Sequence, residues 1–462
     1  MLALLSDFLW SKILIIGLMG VGIWFTVASR FVQFRFFGRM FSSLRRGLHH
    51  QAGHLSSFQA LMVSVGGRVG AGNIAGVAVA ITLGGPGAIF WMWLIGLMGM
   101  ATSFFECSLA QLYKHSEPDG TYRGGPAYYM VQGLGQRWMA VIYSVLLLVT
   151  FGLGFNAVQS YVVATSVEAS FGIPPWATGL ALVAALALII FGGIKRISEA
   201  AEIIVPIMAG GYLLMALVVL AMNFSEIPAV LMHIVKSAFG LDQAVGGGLG
   251  AAVMQGVRRG LFSNEAGLGS APNVAAVAYV PHPVDQGLVQ ALSVFIDTLV
   301  LCTCTALIIL LSDSYQPGAD AVNGIALTQH ALASHVGSWG DKFVSCALVL
   351  FAFSSILYNY YLGENSLNFF SDENQTLFKG FRVMVLGLVL WGSMQDLGTV
   401  FGFADLTMGL LGVVNLFGIA LLSKTGLRLL RDYDEQLAAG KTPRLDPDKF
   451  SDLEIDPVAW RD

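Results

Sequence analysis

Two adjacent hydroxyls, Ser354 and Ser355, stand in the apolar stretch FAFSSIL (Phe351 to Leu357). Two glycine-rich strings, SVGGRVGAGNIAGVAVA (Ser64 to Ala80) and GVRRGLFSNEAGLGSAPN (Gly256 to Asn273), interrupt apolar stretches elsewhere. These are the residues best placed to do chemistry in a chain that is otherwise greasy. Backbone carbonyls offer oxygen to a hard cation. A helix that comes apart frees N–H groups that hold an anion and carbonyls that hold a cation. Glycine eases the unwinding because it admits φ > 0. Together the interruptions suit a zwitterion plus a metal ion. The same glycines also fit close helix packing of the small-xxx-small kind, and a Ser-Ser pair fits plain helix–helix hydrogen bonding. Two matched interruptions, each with polar residues, favour the binding reading.

Further polar groups lie in apolar surroundings. In GLGFNAVQS (Gly152 to Ser160), Asn156 and Gln159 are three apart and share a helix face. Seven charges, Arg68, Glu106, Arg258, Arg259, Glu265, Asp297 and Asp405, fall in apolar stretches. Each costs roughly 2.5–3.5 kcal/mol facing lipid on insertion scales, so most must pair or line water. For Arg258, Arg259 and Glu265, placed near the cytoplasmic half of a broken helix, an ion-pair scaffold is the expected role. A proton relay through Glu106 or Asp297 is the minority alternative. The four cysteines have no metal-site or disulfide spacing and read as packing residues. No nucleophile–base pair or His-rich motif sits in these stretches, which argues against an enzyme, and no basic tract with interleaved aromatics suggests nucleic acid.

The elements that must position these groups follow from composition. Hydrophobic residues make up 55% of the 462 and charged residues only 12%, against about 25% charged in soluble proteins. Blocks of roughly 20 apolar residues recur about eleven times. The expected fold is an all-α polytopic membrane protein with about 11 transmembrane helices: one extra N-terminal helix plus a 5+5 inverted repeat, whose first and sixth core helices are discontinuous. The divisions are 1–29 for the extra helix, 30–54 for a basic interfacial segment carrying Phe31, Phe34, Phe37 and Phe41 among its arginines, 55–222 and 244–424 for the two repeats, and 425–462 for a charged, proline-bearing tail read as partly disordered. Lysine and arginine concentrate on alternate loops, which puts the N-terminus outside and the tail in the cytoplasm.

The strings GRVGAGNIAGVAVAITLGGPGAIFWMW (Gly67 to Trp93), RRGLFSNEAGLGSAPN (Arg258 to Asn273), HPVDQGLVQ (His282 to Gln290), FIDTLVLCTCTALIIL (Phe295 to Leu310) and FAFSSIL resemble those of the alanine or glycine:cation symporter family. The resemblance extends over nearly all spans, and FSNEAGLGSAP is highly specific. It implies the five-plus-five fold of sodium-coupled amino-acid transporters in a bacterial-type inner (plasma) membrane. It also implies sodium as coupling ion, no cofactor, and a small neutral amino acid as substrate. By position, the Gly70–Ala71–Gly72 turn presents the amides of Ala71 and Gly72 to the substrate carboxylate, with Asn73 nearby. Sodium falls to the carbonyls of Gly66, Val69 and Phe351 and the hydroxyls of Ser354 and Ser355. Asn156 and Gln159 join the pocket, or hold neighbouring helices together.

The chain departs from its apparent family at YNYYLGE (Tyr358 to Glu364), where members typically carry Gly-Trp-Ser-Tyr-Tyr-Gly-Glu. Asn359 replaces the tryptophan and lies four residues after Ser355, on the same helix face. An amide there adds a donor and an acceptor, which favours serine or glutamine over alanine, unless Tyr358 fills the vacated volume. The rival readings are an amino-acid sensor on the same fold and a proton-coupled symporter. Oligomeric state, stoichiometry and enantiomer are not legible.

Overall fold

The computed structural model describes residues 2–47, 55–118, 120–241, 248–316, 324–371 and 374–460. Residues 48–54 of the expected interfacial segment, 119 of the first repeat, 244–247, 317–323 and 372–373 of the second, and 461–462 of the tail lie outside them.

Long apolar helices dominate. The chain opens with α1 (Leu5–Ala28), followed by the short α2 (Phe37–Arg46). Helix α3 (Ser57–Arg68) starts at a capping box, in which the Ser56 hydroxyl accepts from Gln59 N and the Gln59 side chain accepts from Ser56 N. It gives way to α4 (Gly72–Gly84) across a bend of 48°. There follow α5 (Gly87–Leu112), α6 (Arg137–Phe171), α7 (Pro175–Ile190), α8 (Gly193–Met222) and α9 (Ile227–Ala238). A hairpin of β1 (His115–Ser116) and β2 (Tyr122–Arg123) separates α5 from α6.

The second half repeats the broken start. Helix α10 (Gly248–Asn264) ends five residues before Gly269, the N-cap of α11 (Ser270–Ala275). Then come α12 (Pro283–Leu310), α13 (Ile325–Val336), α14 (Trp339–Phe370), α15 (Gln375–Ser393), α16 (Leu397–Leu421) and α17 (Ser423–Ala438). Both interruptions expected from the glycine strings are therefore present.

Among the described residues, eight helices and the bent α3–α4 pair are long and apolar enough to cross a membrane. The expected count of eleven is not reached on that criterion. Helix α7 has 16 residues and α10 has 17, and at about 1.5 Å per residue each falls short of a ~30 Å hydrocarbon core. The outer surface is apolar: on α8, Ile203, Ile207, Leu214 and Leu217 are all exposed, a lipid-facing stripe. The inner surfaces carry small residues where helices meet. At Gly256 an added Cβ meets the Ala88 carbonyl oxygen at 2.5 Å, so α10 and α5 approach closely there.

The tail corrects the sequence reading. Instead of a partly disordered appendage, α17 and the residues to 460 fold against the same end of the bundle as α2. Leu429, Leu430, Tyr433, Leu445 and Phe450 are buried. The charges that suggested disorder are paired: Arg428 with Asp452 at 2.7 Å, Lys449 with Asp432 at 2.7 Å, and Asp434 with Arg35 at 2.8 Å. Trp460 Nε1 donates to the Leu112 carbonyl at 3.3 Å. The segment after α11 is shared: Leu55 bridges Ala278 in parallel on one side, and Leu445 N donates to the Pro281 carbonyl on the other.

Candidate functional site

Three helices widen by one residue per turn around the first break. Gly72–Gly76, Leu148–Phe155 of α6 and Phe295–Cys302 of α12 are π-helical, a local irregularity common where side chains are re-aimed at a site. The break itself runs from Val69 (φ −76°, ψ 85°) to Ala71. None of its residues has positive φ. The expectation that glycine there supplies left-handed backbone is overturned; the glycines supply proximity. A Cβ at Gly70 would lie 2.5 Å from Ser355 Oγ and 3.0 Å from Gln159 Nε2. One at Gly67 would lie 2.3–2.6 Å from three ring carbons of Tyr358, and one at Gly66 would lie 3.2 Å from Ser354 Cβ.

Those close approaches bring the two hydroxyls onto the end of α3. Ser354 Oγ donates to the carbonyls of Gly66 and Phe351, both at 2.9 Å. Ser355 Oγ reaches the carbonyls of Gly66, Gly67 and Phe351, each at 3.0 Å. Gly66, Phe351, Ser354 and Ser355 thus meet in one buried cluster. Gly67 contributes the further carbonyl, and Val69 makes no bond to either hydroxyl. The cluster is all neutral oxygen, which suits a hard monovalent cation. Among the described residues no group of three His, Cys, Asp or Glu side chains could hold a transition metal.

Just beyond, the freed amides are in use. Gly70 N donates to Asn73 Oδ1 at 3.0 Å, and Ala71 N donates to Gln159 Oε1 at 3.1 Å. Asn73 in turn donates to Asp297 Oδ1 at 2.7 Å, and Asp297 Oδ2 also accepts from Ser263 and Thr298. Asn73 therefore ties the break to α12. Asn156 does not reach these amides: its Nδ2 bonds the Gly152 carbonyl at 2.9 Å and its Oδ1 is buried with no partner among the described residues. Gly72 packs under α10, where a Cβ would meet Ser263 Cα at 3.1 Å and Phe262 Cδ1 at 3.2 Å. Asn359 is buried, and its Nδ2 has no hydrogen-bond partner among the described residues.

The second break is built differently. Glu265, Gly267 and Gly269 have φ of +56°, +92° and +80°. The amides of Gly267 and Gly269 each donate to the Glu106 carboxylate at 3.2 Å, and Asn415 adds a third donor at 3.0 Å. Glu265 accepts from Ser270 Oγ at 2.6 Å and from Tyr358 OH at 3.2 Å, and makes no ion pair among the described residues. The sequence flagged Glu106 as a costly charge but gave no sign of its partners.

The remaining buried charges divide between ion pairs and neutral partners. Arg258 pairs with Asp7 at 3.1 Å and with Asp405 at 3.8 Å, and Arg259 pairs with Asp405. This ion-pair scaffold, expected for Arg258 and Arg259 but not joined by Glu265, lies at the end of the bundle where α1 starts, opposite α2 and the tail. Its position follows from α10 running from that end inward. Arg68, the last residue of α3, is buried without an ion pair among the described residues; it donates to Ser293 Oγ, to Ser103 Oγ at 3.0 Å and to the Gln290 carbonyl at 3.1 Å. A cation at a helix C-terminus is favoured by the helix dipole, and this one fastens α3 to α5 and α12.

With this geometry in view, comparison with known proteins is decisive. Residues 1–447 match the model of the sodium:alanine symporter family. The chain belongs to that family. It is 50% identical over 440 residues to GlnT of Bacillus subtilis, a probable sodium/glutamine symporter, covering 95% of this chain and 91% of that one. To AgcS of Methanococcus maripaludis, a sodium/alanine symporter, it is 38% identical over 429 residues, covering 90% and 93%. Among solved structures, a manganese transporter mutant of Eremococcus coleocola superposes with a TM-score of 0.52 at 13% identity, over 80% of this chain and 78% of that one, a likeness of fold alone. Family membership makes the chain a multi-pass membrane transporter for amino acids and not an enzyme.

Proposed function

We propose that the chain imports a neutral amino acid with a polar side chain, glutamine or serine, together with sodium. The observation that carries this is the convergence of Ser354 and Ser355 on the carbonyls of Gly66, Gly67 and Phe351, directly beside the Ala71 amide. A sodium ion among these oxygens bonds α14 to the end of α3. The substrate carboxylate displaces Gln159 Oε1 from the Ala71 amide and extends to Gly72. Gly70 brings Ser355 and Gln159 into contact with the same backbone position, so ordering by the ion prepares the amides for the carboxylate. That is a coupling free energy between two sites. The two halves, 55–222 and 244–424, act as inverted five-helix repeats around this midplane, with the N-terminus outside and α17 in the cytoplasm.

The preference for a polar side chain rests on Asn359. A buried donor without a partner costs roughly 1–3 kcal/mol, and a substrate amide or hydroxyl oxygen relieves that cost where a methyl does not. The name of GlnT agrees with this reading. Uptake of labelled glutamine, serine, alanine and glycine into proteoliposomes, with sodium and proton gradients imposed separately, tests it. Accumulation on sodium alone with glutamine or serine the best competitor is expected. Equal uptake on a proton gradient without sodium removes the ion assignment. An unchanged order of substrates in Asn359→Trp removes the role of Asn359.

A further inference from the structure

Helix α2 carries an unexplained arrangement. Its buried face, Met40 and Ser43, packs on the bundle. At about 100° per residue, Arg39, Ser42 and Arg46 lie together on one flank, Arg45 points away from the bundle, and Phe41 lies beside Arg45 on the other flank with Phe37 and Leu44. Phe41 is 49% exposed, as are Phe31 and Phe34 just before the helix at 52% and 58%. Arg39, Ser42, Arg45 and Arg46 alone line one open recess. Of these arginines only Arg46 has a carboxylate partner, Asp285 at 2.8 Å; Arg39 and Arg45 have none among the described residues. Arg39 does no more than lie 5.9 Å from the Tyr433 ring.

We infer that this recess binds the headgroup of an anionic phospholipid in the leaflet that α2 lies in. The charge is complementary, and guanidinium groups suit a phosphate diester through paired N–H donors. The neighbouring exposed rings point to a lipid rather than a free anion, because a helix with basic and aromatic flanks settles at the boundary of headgroups and acyl chains. The site has a route to transport. Ser43 and Arg46 both bond Asp285 in the first turn of α12, each at 2.8 Å, and the Gly47 carbonyl accepts from Phe58 N in the first turn of α3 at 3.4 Å. A headgroup that fixes α2 therefore braces the start of the helix that ends at the first break.

The test is lipid retention by the full-length protein taken from vesicles of equal phosphatidylglycerol and phosphatidylcholine, read by mass spectrometry. Each arginine near an anionic surface contributes about fivefold, so Arg39→Gln/Arg45→Gln should lose roughly tenfold or more of the phosphatidylglycerol enrichment, while Arg39→Lys/Arg45→Lys keeps most of it. Arg46 is left alone to spare its pair with Asp285. If the glutamine variant does not fold, wild-type enrichment that fails to decline from low to high salt overturns the inference. So does enrichment that the glutamine variant keeps in full, or that inorganic phosphate abolishes, which marks a site for a soluble anion.

Discussion

The two broken helices solve one problem in opposite ways. At the first break the backbone keeps ordinary dihedrals, and the freed Gly70 and Ala71 amides bond neutral side-chain oxygens of Asn73 and Gln159. At the second, three residues take positive φ, and the Gly267 and Gly269 amides are clamped by the Glu106 carboxylate. Three donors converge on the one Glu106 carboxyl, against a single backbone donor on each amide oxygen at the first break, so losing it strands all three. A neutral side-chain acceptor can be exchanged for a ligand's carboxylate; a buried carboxylate acceptor cannot. Under the proposed function, the first break is fitted for exchange and the second for permanence.

The largest expected effect follows from removing the clamp. Glu106→Leu strands two backbone donors and Asn415, at about 1–3 kcal/mol each, and should lower the unfolding temperature in detergent more than any change at the first break. Gln159→Leu should mainly lower substrate affinity. Equal destabilisation by the two would erase the distinction.

Glycine substitutions come next and separate the breaks by mechanism. Gly267→Ala forces a side chain into φ +92° and against Leu416 Cδ2 at 2.9 Å, so thermal stability should drop by roughly 1–3 kcal/mol. Gly72→Val should leave folding in place and reduce substrate affinity at least about tenfold, because the branched side chain meets Phe262 and Ser263 and crowds the amides. Normal affinity in the purified variant would show that the first break serves packing alone.

Smaller effects are expected at the hydroxyls. Ser354→Ala and Ser355→Ala each remove one oxygen, worth about 1 kcal/mol, and should raise the sodium concentration for half-maximal uptake about fivefold. The smallest concerns a carboxylate clamp outside the membrane. Burial alone raises the pKa of Asp432, but hydrogen bonds from His282, Lys449 and Gln436 outweigh it and hold the carboxyl well below its ordinary value. Its contribution to tail docking is full above the unfolded value of about 3.9 and is lost as pH falls through the lowered one. Protection factors for hydrogen exchange in α17, corrected for the intrinsic pH dependence of the rate, should therefore match at pH 7 and pH 5, both above that window, and a loss of protection already at pH 5 would assign the docking to another group.

How much of this was legible depended on range along the chain. Both breaks were, because glycine clusters within apolar runs are local signals, and so was the Ser354–Ser355 pair. What those glycines do was not: spacing does not tell a left-handed turn from a contact surface, and Gly70 acts through Ser355 and Gln159, far away in sequence. Glu106 was recognisable as a costly charge, yet its partners at Gly267, Gly269 and Asn415 exist only once α5, α16 and the second break are packed. The tail misled for a similar reason. Its charges looked solvated because Arg35 and His282, which meet Asp434 and Asp432, belong to distant elements.

The ring of Tyr358 lies flush against the backbone of Gly67, leaving no room for even a methyl. Over evolutionary time the two positions form one unit of change. A lineage that acquires alanine at 67 must first have traded the ring at 358 for something smaller, whereas the reverse order passes through a defective ancestor. In a collection of diverged sequences these two columns should covary, and a tyrosine at the second should accompany glycine at the first almost without exception.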